Sequence, residues 1–181
     1  MEYWKNGIMG GFFYHYSKLP SFQLLIRIKE NSSNMKVLIL CTGNSCRSQM
    51  AQAFLQSYDK SLKVFSAGTE PAYRVNRFAI QVMSEVGIDI SKENPKNVNQ
   101  FLGEEWDYVI TVCGGANETC PAFIGKVKHR WHLGYDDPAE ATGTEEEIIK
   151  EFRRVRDEIN EGFKAFYDSQ ILGRHGCGCC G

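Results

Sequence analysis

Short apolar runs alternate along the chain with segments in which apolar residues recur every three or four positions. The runs predict buried strands at residues 35–41, 63–67, 108–112 and 126–133. The wider spacing predicts helices at residues 48–58, 71–86 and 144–172. Strands that alternate with helices favour a parallel sheet, because each crossover helix returns the chain to the same edge. We therefore predict an α/β fold with three layers, a four-stranded parallel sheet flanked by helices on both faces.

The last predicted helix has a defined start. Thr144 precedes Glu147 by three positions, which is the spacing of a capping box. In such a box each side chain satisfies a backbone N–H group that the first turn leaves without a partner. We therefore predict that this helix begins at Thr144, with Thr144 as its cap.

The pattern divides the chain into three parts. Residues 1–34 are rich in aromatic side chains but have no clean period, so we expect an N-terminal extension that function does not require. A docking or membrane-touching role is the alternative for that segment. Residues 35–172 form the predicted domain. Residues 173–181, GRHGCGCCG, have low complexity and form a cysteine-rich tail that we expect to be flexible.

Composition narrows the classes of function. A net charge of −1 over 181 residues argues against a large basic face for nucleic acid. No apolar run approaches the about 20 residues that a membrane-spanning helix needs. The chain has an odd number of cysteines, seven, and no recognisable secretory signal. We therefore predict a cytoplasmic protein in which cysteines serve chemistry rather than structural disulfides.

The stretch CTGNSCRSQM begins where the first predicted strand ends. Cys41 and Arg47 are six positions apart, and a helix is predicted to follow. A short loop at a helix N-terminus directs several backbone N–H groups inward and forms a socket for a tetrahedral oxyanion. The predicted oxyanion-binding residues are Thr42, Gly43, Asn44, Ser45, Cys46 and Arg47.

The same loop has the features of a nucleophilic site. Arg47 can hold two oxygens of an anion with its planar guanidinium. Its charge and the loop amides favour a thiolate, so we expect the pKa of Cys41 to be lowered. Ser48 is placed to donate its hydroxyl to that sulfur. The side chain of Cys46 is more simply interpreted as a buried thiol. We expect Asn44 to hold the shape of the loop by side-chain hydrogen bonds, and Ser66 to stabilise the same region.

The sequence resembles a known family at four places. CTGNSCRSQMAQ resembles the low-molecular-weight phosphotyrosine phosphatases and, among them, the arsenate reductases. The stretches VITVCGGANETCP, WHLGYDDPAEATGTEEE and FRRVRDEI are similar to that subgroup. The resemblance spans Met35 to Phe166 and implies the phosphatase fold with arsenate as substrate, phosphate or sulfate serving as mimics.

The resemblance also implies a reaction cycle. Cys41 would attack arsenate, and the oxidation would pass to Cys113 and then to Cys120 by thiol–disulfide exchange. Thioredoxin, or glutaredoxin with glutathione, would reduce the last disulfide. The family's general acid corresponds to Asp137, although its neighbour Asp136 stays open. We expect a monomer without a cofactor or a metal site.

Two alternatives remain. A low-molecular-weight protein-tyrosine phosphatase would use the same loop, but those enzymes carry an aromatic residue where Ala139 follows the Asp-Pro pair. A binding protein would instead use the tail cysteines Cys177, Cys179 and Cys180 to hold arsenite or a thiophilic metal. Some arsenate reductases that the chain resembles bind potassium, but we do not predict this site, because Gln52 and Lys96 stand at its acidic positions.

Overall fold

The computed structural model describes residues 34–114 and 123–173. The predictions for residues 1–33, for Cys120 and for the cysteine-rich tail after Gly173 lie outside the described residues. The strands are β1 (Lys36–Cys41), β2 (Lys63–Gly68), β3 (Glu105–Cys113) and β4 (Lys126–Tyr135). The α-helices are α1 (Arg47–Tyr58), α2 (Arg77–Glu85) and α3 (Glu145–Phe166). Shorter helical turns are two 3-10 helices, Val98–Phe101 and Pro138–Glu140, and a π-helical turn, Tyr167–Leu172.

The four strands form one parallel sheet in the order β2-β1-β3-β4. This confirms the predicted α/β fold. Strands β1 and β3 are central neighbours, and Leu40 pairs with Thr111. The carboxyl ends of these two strands therefore meet at one edge of the sheet, where Cys41 and Cys113 stand. Ligands of open parallel sheets bind at this edge.

Elements pack on both faces of the sheet. The larger core contains the buried side chains of all three α-helices, with Ile39 and Ile110 contributed from the central strands. A smaller cluster covers the other face, where the 3-10 helix Val98–Phe101 packs over β1 and β3. Within this cluster the rings of Phe101 and Trp106 meet edge to face, 5.7 Å apart. Burying such rings contributes about 2 to 3 kcal/mol each.

The second helix begins later than the sequence predicted. Helix α2 starts at Arg77 rather than at residue 71, so that prediction is wrong. The Asn76 side chain caps it by accepting from the backbone N–H of Phe78 over 2.9 Å. In a helix from residue 71 the Asn76 N–H would bond the Ala72 carbonyl, but it donates to the Ser45 carbonyl in the loop after β1 over 2.9 Å, and Ala72 donates to the Gly43 carbonyl over 2.9 Å.

The third helix starts where the sequence placed it. The Thr144 and Glu147 side chains each accept from the other residue's backbone N–H, which confirms the capping box. The regular α-helix ends at Phe166 rather than near residue 172, and the π-helical turn Tyr167–Leu172 continues it. The Tyr108 hydroxyl donates to the Gln170 carbonyl over 3.1 Å, which ties this turn to β3.

Candidate active site

The Cys41 sulfur lies at the centre of a closed loop. The residue ends β1 and is only 3% exposed. Its Sγ accepts from the Asn44 backbone N–H over 3.0 Å and lies 2.9 Å from the Ser48 hydroxyl oxygen. The residues from Cys41 to Arg47, called the oxyanion loop below, and Ser48 directly after them thus surround one thiol with a backbone donor and a hydroxyl group.

Asn44 holds the loop in shape. Its φ of 47° is the left-handed conformation that asparagine tolerates better than most residues. Its side-chain amide donates to the hydroxyls of Ser48 and Ser66, over 2.8 and 2.9 Å. Its side-chain oxygen accepts from the Lys96 backbone N–H over 2.8 Å. The structure thus brings Asn44 and Ser66 together, as the sequence analysis expected.

Gln49 contacts the oxyanion loop, which was not predicted from the sequence. It is 1% exposed, and its amide nitrogen donates to the Asn44 carbonyl oxygen over 3.1 Å and to that of Asn94 over 3.3 Å. It bridges the oxyanion loop to the segment before the 3-10 helix Val98–Phe101. A polar residue in the first turn of a helix is usually solvated, so the sequence carried no signal for this contact.

Burial dominates the acid–base chemistry of Cys41. It raises the pKa of the thiol above its ordinary value, against the lowering effects of hydrogen bonds from Ser48 and Asn44 and of the Arg47 charge. The predicted lowered pKa is therefore wrong for this structure. The physical reason is that a thiolate at a nearly inaccessible site loses more solvation free energy than these contacts provide. Arg47 is also paired with a carboxylate, which offsets its charge.

Cys46 is a buried thiol, as the simpler interpretation had it. The side chain is 4% exposed, and burial raises its pKa to about 12. Its Sγ lies 3.7 Å from the Ser45 hydroxyl. Cys46 is therefore neutral near pH 7, and the part it can play in anion binding is through its backbone.

Arg47 joins the loop to the end of β4. The side chain is buried, and its Nη1 donates to the Tyr135 carbonyl over 3.0 Å. Its Nη2 donates to Asp137 Oδ2 over 2.6 Å, and Asp137 Oδ1 accepts from the Ala139 N–H over 3.0 Å. Asp136 instead faces α3 and accepts from Arg154 over 2.9 Å. Of the two aspartates, Asp137 is the one at the loop.

Cys113 lies beside the oxyanion loop. It ends β3, is 3% exposed, and its Sγ is 4.0 Å from the Thr42 hydroxyl oxygen. The three cysteines in the described ranges, Cys41, Cys46 and Cys113, are thiols rather than disulfides. The arrangement gives two buried thiols at adjacent strand ends, an anion-binding arginine and a carboxylic acid, which together suit nucleophilic and redox chemistry on an oxyanion.

Among residues 34–114 and 123–173, no three His, Cys, Asp or Glu side chains are grouped closely enough to hold a metal ion. Gln52 Oε1 accepts from the Ser66 hydroxyl over 2.7 Å. None of the helices in the described ranges is long and apolar enough to cross a bilayer.

The oxyanion loop, the parallel sheet that carries it and the carboxyl group of Asp137 together define a class of protein. The family description "Low molecular weight phosphotyrosine protein phosphatase" matches residues 36–175, most of the chain. The chain belongs to this family.

Within the family, the chain is similar to several arsenate reductases. The protein of that name from Halalkalibacterium halodurans is 48% identical over 138 residues, covering 75% of this chain and 98% of the relative. The Bacillus subtilis arsenate reductase is 46% identical over 137 residues, covering 75% and 97%. A solved arsenate reductase in a phosphate-binding state superposes with a TM-score of 0.62 at 31% identity, covering 75% of this chain and 98% of the other. Similar structures, with TM-scores of 0.59 and 0.58, represent an arsenate reductase in reduced and oxidized states.

Proposed function

We propose that this protein reduces arsenate to arsenite for arsenic detoxification, using a relay of Cys41, Cys113 and Cys120. The observation that carries the proposal is the second buried thiol, with Cys113 Sγ 4.0 Å from the Thr42 hydroxyl of the oxyanion loop. A phosphatase needs one nucleophilic cysteine, whereas a reductase needs a partner thiol to accept the oxidation. The arsenate reductases among its relatives support the same activity.

The first step is nucleophilic attack. Arsenate binds to the loop amides and to Arg47, which turns from Asp137 to the anion. The Cys41 thiolate, supported by Ser48 and the Asn44 N–H, forms a bond to arsenic. A hydroxyl group of the hydrogen arsenate ion takes a proton from Asp137, its bond to arsenic breaks, and it leaves as water. Arsenic remains pentavalent in this covalent adduct.

The second step transfers two electrons. The Cys113 thiolate attacks Cys41 Sγ, the sulfur–arsenic bond breaks with its electron pair on arsenic, and arsenite departs. The Cys41–Cys113 disulfide holds the oxidising equivalents. Cys120 then attacks Cys113, which frees Cys41 and leaves a Cys113–Cys120 disulfide. A protein dithiol of the thioredoxin type, or glutaredoxin with glutathione, reduces that disulfide. This requirement suits the cytoplasm, whose thiol pool is reducing.

Weak phosphatase activity is a second candidate, because the loop and Asp137 are also what phosphate ester hydrolysis needs. A phosphoryl group has the same tetrahedral oxygens as arsenate, so it suits the same donors. Ala139 follows the Asp-Pro pair, so no aromatic side chain at that position stacks on a tyrosyl ring. We therefore expect slow hydrolysis of small aryl phosphates.

A single-turnover experiment tests the proposal. Fully reduced protein is mixed with excess arsenate without external reductant, and arsenite and disulfides are measured. We expect about one arsenite per chain and a Cys113–Cys120 bridge, because these two thiols give the relay one pair of reducing equivalents once Cys41 is regenerated. Intact thiols and no arsenite, with aryl phosphate hydrolysis in a parallel reaction, would instead identify a phosphatase.

A further inference from the structure

The two residues that follow β4, Asp136 and Asp137, are held from opposite sides. We call this pair the acid turn. Asp137 contacts Arg47 in the oxyanion loop, and Asp136 accepts from Arg154 Nη2 over 2.9 Å. The turn lies between the last residue of β4 and the 3-10 helix that starts at Pro138. Because it is only two residues long, a movement of one aspartate moves the other.

The guanidinium of Arg154, which holds Asp136, is itself held in position by its surroundings. It lies on α3 between Phe152 and Val155, which are 1% and 0% exposed and lock the helix into the core. Its other donors are also occupied: Nη1 bonds Glu158 over 2.6 Å, and Nε bonds Glu151 over 3.0 Å. A guanidinium held by three carboxylates on a packed helix has little freedom to turn away from Asp136.

The need for this anchor follows from the reaction. In the proposed first step Arg47 Nη2 leaves Asp137 to bind the oxyanion, so the Asp137 carboxylate loses its contact with Arg47. We propose that Arg154 is a positioning residue, which holds Asp136 and thereby keeps the Asp137 carboxyl group over the oxyanion loop while Arg47 binds the substrate. This inference rests on the proposed role of Asp137 as general acid.

The test uses the full chain and a matched control. Arg153 is the neighbouring arginine, similarly exposed, and it makes a bidentate pair with Glu85 far from the turn. Arg154→Ala, Arg154→Lys and Arg153→Ala are compared by the single-turnover rate of arsenite release as arsenate is varied. This measurement separates the maximal rate from the half-saturating arsenate concentration.

We expect Arg154→Ala to lower the maximal rate by about tenfold and to change half-saturation by less than about twofold, because misplacing a reacting group slows chemistry more than binding. Arg154→Lys should recover most of the rate, since an ammonium can reach Asp136. Arg153→Ala should match the parent. Thermal midpoints of both alanine variants should stay within about 4 °C of the parent, because exposed ion pairs contribute little stability. Equal maximal rates for the two alanine variants would overturn the inference.

A double-variant cycle tests the route through Asp136. Asp136→Asn keeps the size of the side chain but removes the charge that Arg154 holds. If Arg154 acts through Asp136, the Arg154→Ala/Asp136→Asn double variant should be no slower than the Arg154→Ala single variant. Additive losses would show that Arg154 acts in some other way.

A structural measurement separates this inference from the proposed function. Crystal structures of Arg154→Ala and Arg153→Ala with bound phosphate should show the Asp137 carboxyl group displaced or disordered only in the first. An unmoved Asp137 in Arg154→Ala would overturn the positioning role whether or not the parent reduces arsenate. Absence of arsenite release by the parent, with Asp137 displaced as expected, would overturn the proposed function alone.

Discussion

Arg47 and Asp137 lie 90 residues apart in the sequence, and the guanidinium donates to the carboxylate over 2.6 Å. The group proposed to bind the anion is therefore paired with the group proposed to donate the proton. An incoming oxyanion requires the same guanidinium, so substrate binding exchanges one anionic partner of Arg47 for another.

This exchange predicts opposite effects of Asp137→Asn on binding and on turnover. We expect phosphate to bind about fivefold more tightly, because a competing negative charge next to Arg47 is removed. Arsenite release should fall about a hundredfold, because the amide cannot donate the proton in the first step. Calorimetry and single-turnover assays measure the two effects. The control is Asp107→Asn, because Asp107 lies near the start of β3, at the end away from Cys113. Equal phosphate affinities in the parent and in Asp137→Asn would contradict the exchange.

Ser48→Ala should make Cys41 less reactive at neutral pH. The Ser48 hydrogen bond lowers the pKa of Cys41 against the effect of burial, so its loss raises that pKa further. The pH profile of alkylation by iodoacetamide should shift to higher pH. Arsenite release near neutral pH should slow by about tenfold, because less thiolate is present.

The control for Ser48→Ala lies on the same helix. The Ser57 hydroxyl donates to the Phe54 carbonyl over 2.7 Å at the far end of α1. Ser57→Ala should leave the alkylation profile of Cys41 unchanged. A profile that Ser48→Ala also fails to shift would mean that the hydroxyl does not stabilise the thiolate.

Cys120→Ser should stop the proposed cycle after its first turnover. Cys113 can still displace arsenite from Cys41, but no thiol then resolves the Cys41–Cys113 disulfide. Peptide mapping by mass spectrometry should find that disulfide after one arsenite per chain. Repeated turnover of this variant with thioredoxin supplied would refute the order of the relay.

Gly162→Ala should disturb both stability and the site. A Cβ at Gly162 would overlap the buried Tyr135 hydroxyl oxygen, so the ring must shift. We expect the free energy of unfolding in urea to fall by about 1 to 3 kcal/mol. Turnover should fall too, because the Tyr135 carbonyl holds Arg47.

Gly103→Ala is the matched control, since a Cβ there would have no atom within 4 Å. Its free energy of unfolding and its rate of arsenite release should equal those of the parent. Equal stability of the two glycine variants would mean that the packing of Tyr135 against α3 tolerates the added methyl group.

A chain that begins at Met35 should remain active. The Met35 carbonyl still accepts from the Lys63 N–H over 2.9 Å, so the pairing of β1 with β2 keeps its first contact. Arsenite release should stay within about twofold of the full chain, because the oxyanion loop depends on the sheet and α1. An inactive truncated chain would assign a function to residues 1–34.

Some features of the fold and site could be predicted because their causes are local. The oxyanion loop follows from a strand, a glycine, an asparagine that tolerates positive φ and a helix start, all within about ten residues. The capping box of α3 depends on Thr144 and Glu147 alone. By contrast, the start of α2 was misplaced, because the N–H groups of Ala72 and Asn76 are used by a loop that is distant in sequence.

The sequence by itself determined the order of strands and helices, the loop that carries Cys41 and Arg47, and the resemblance to a family. Only the tertiary structure decided which distant groups meet. The sheet order sets Cys113 beside Thr42, the end of β4 brings Asp137 to Arg47, and the packing of α3 brings Arg154 to Asp136. It also decided the pKa of Cys41, because desolvation depends on everything that covers the sulfur and not on its sequence neighbours.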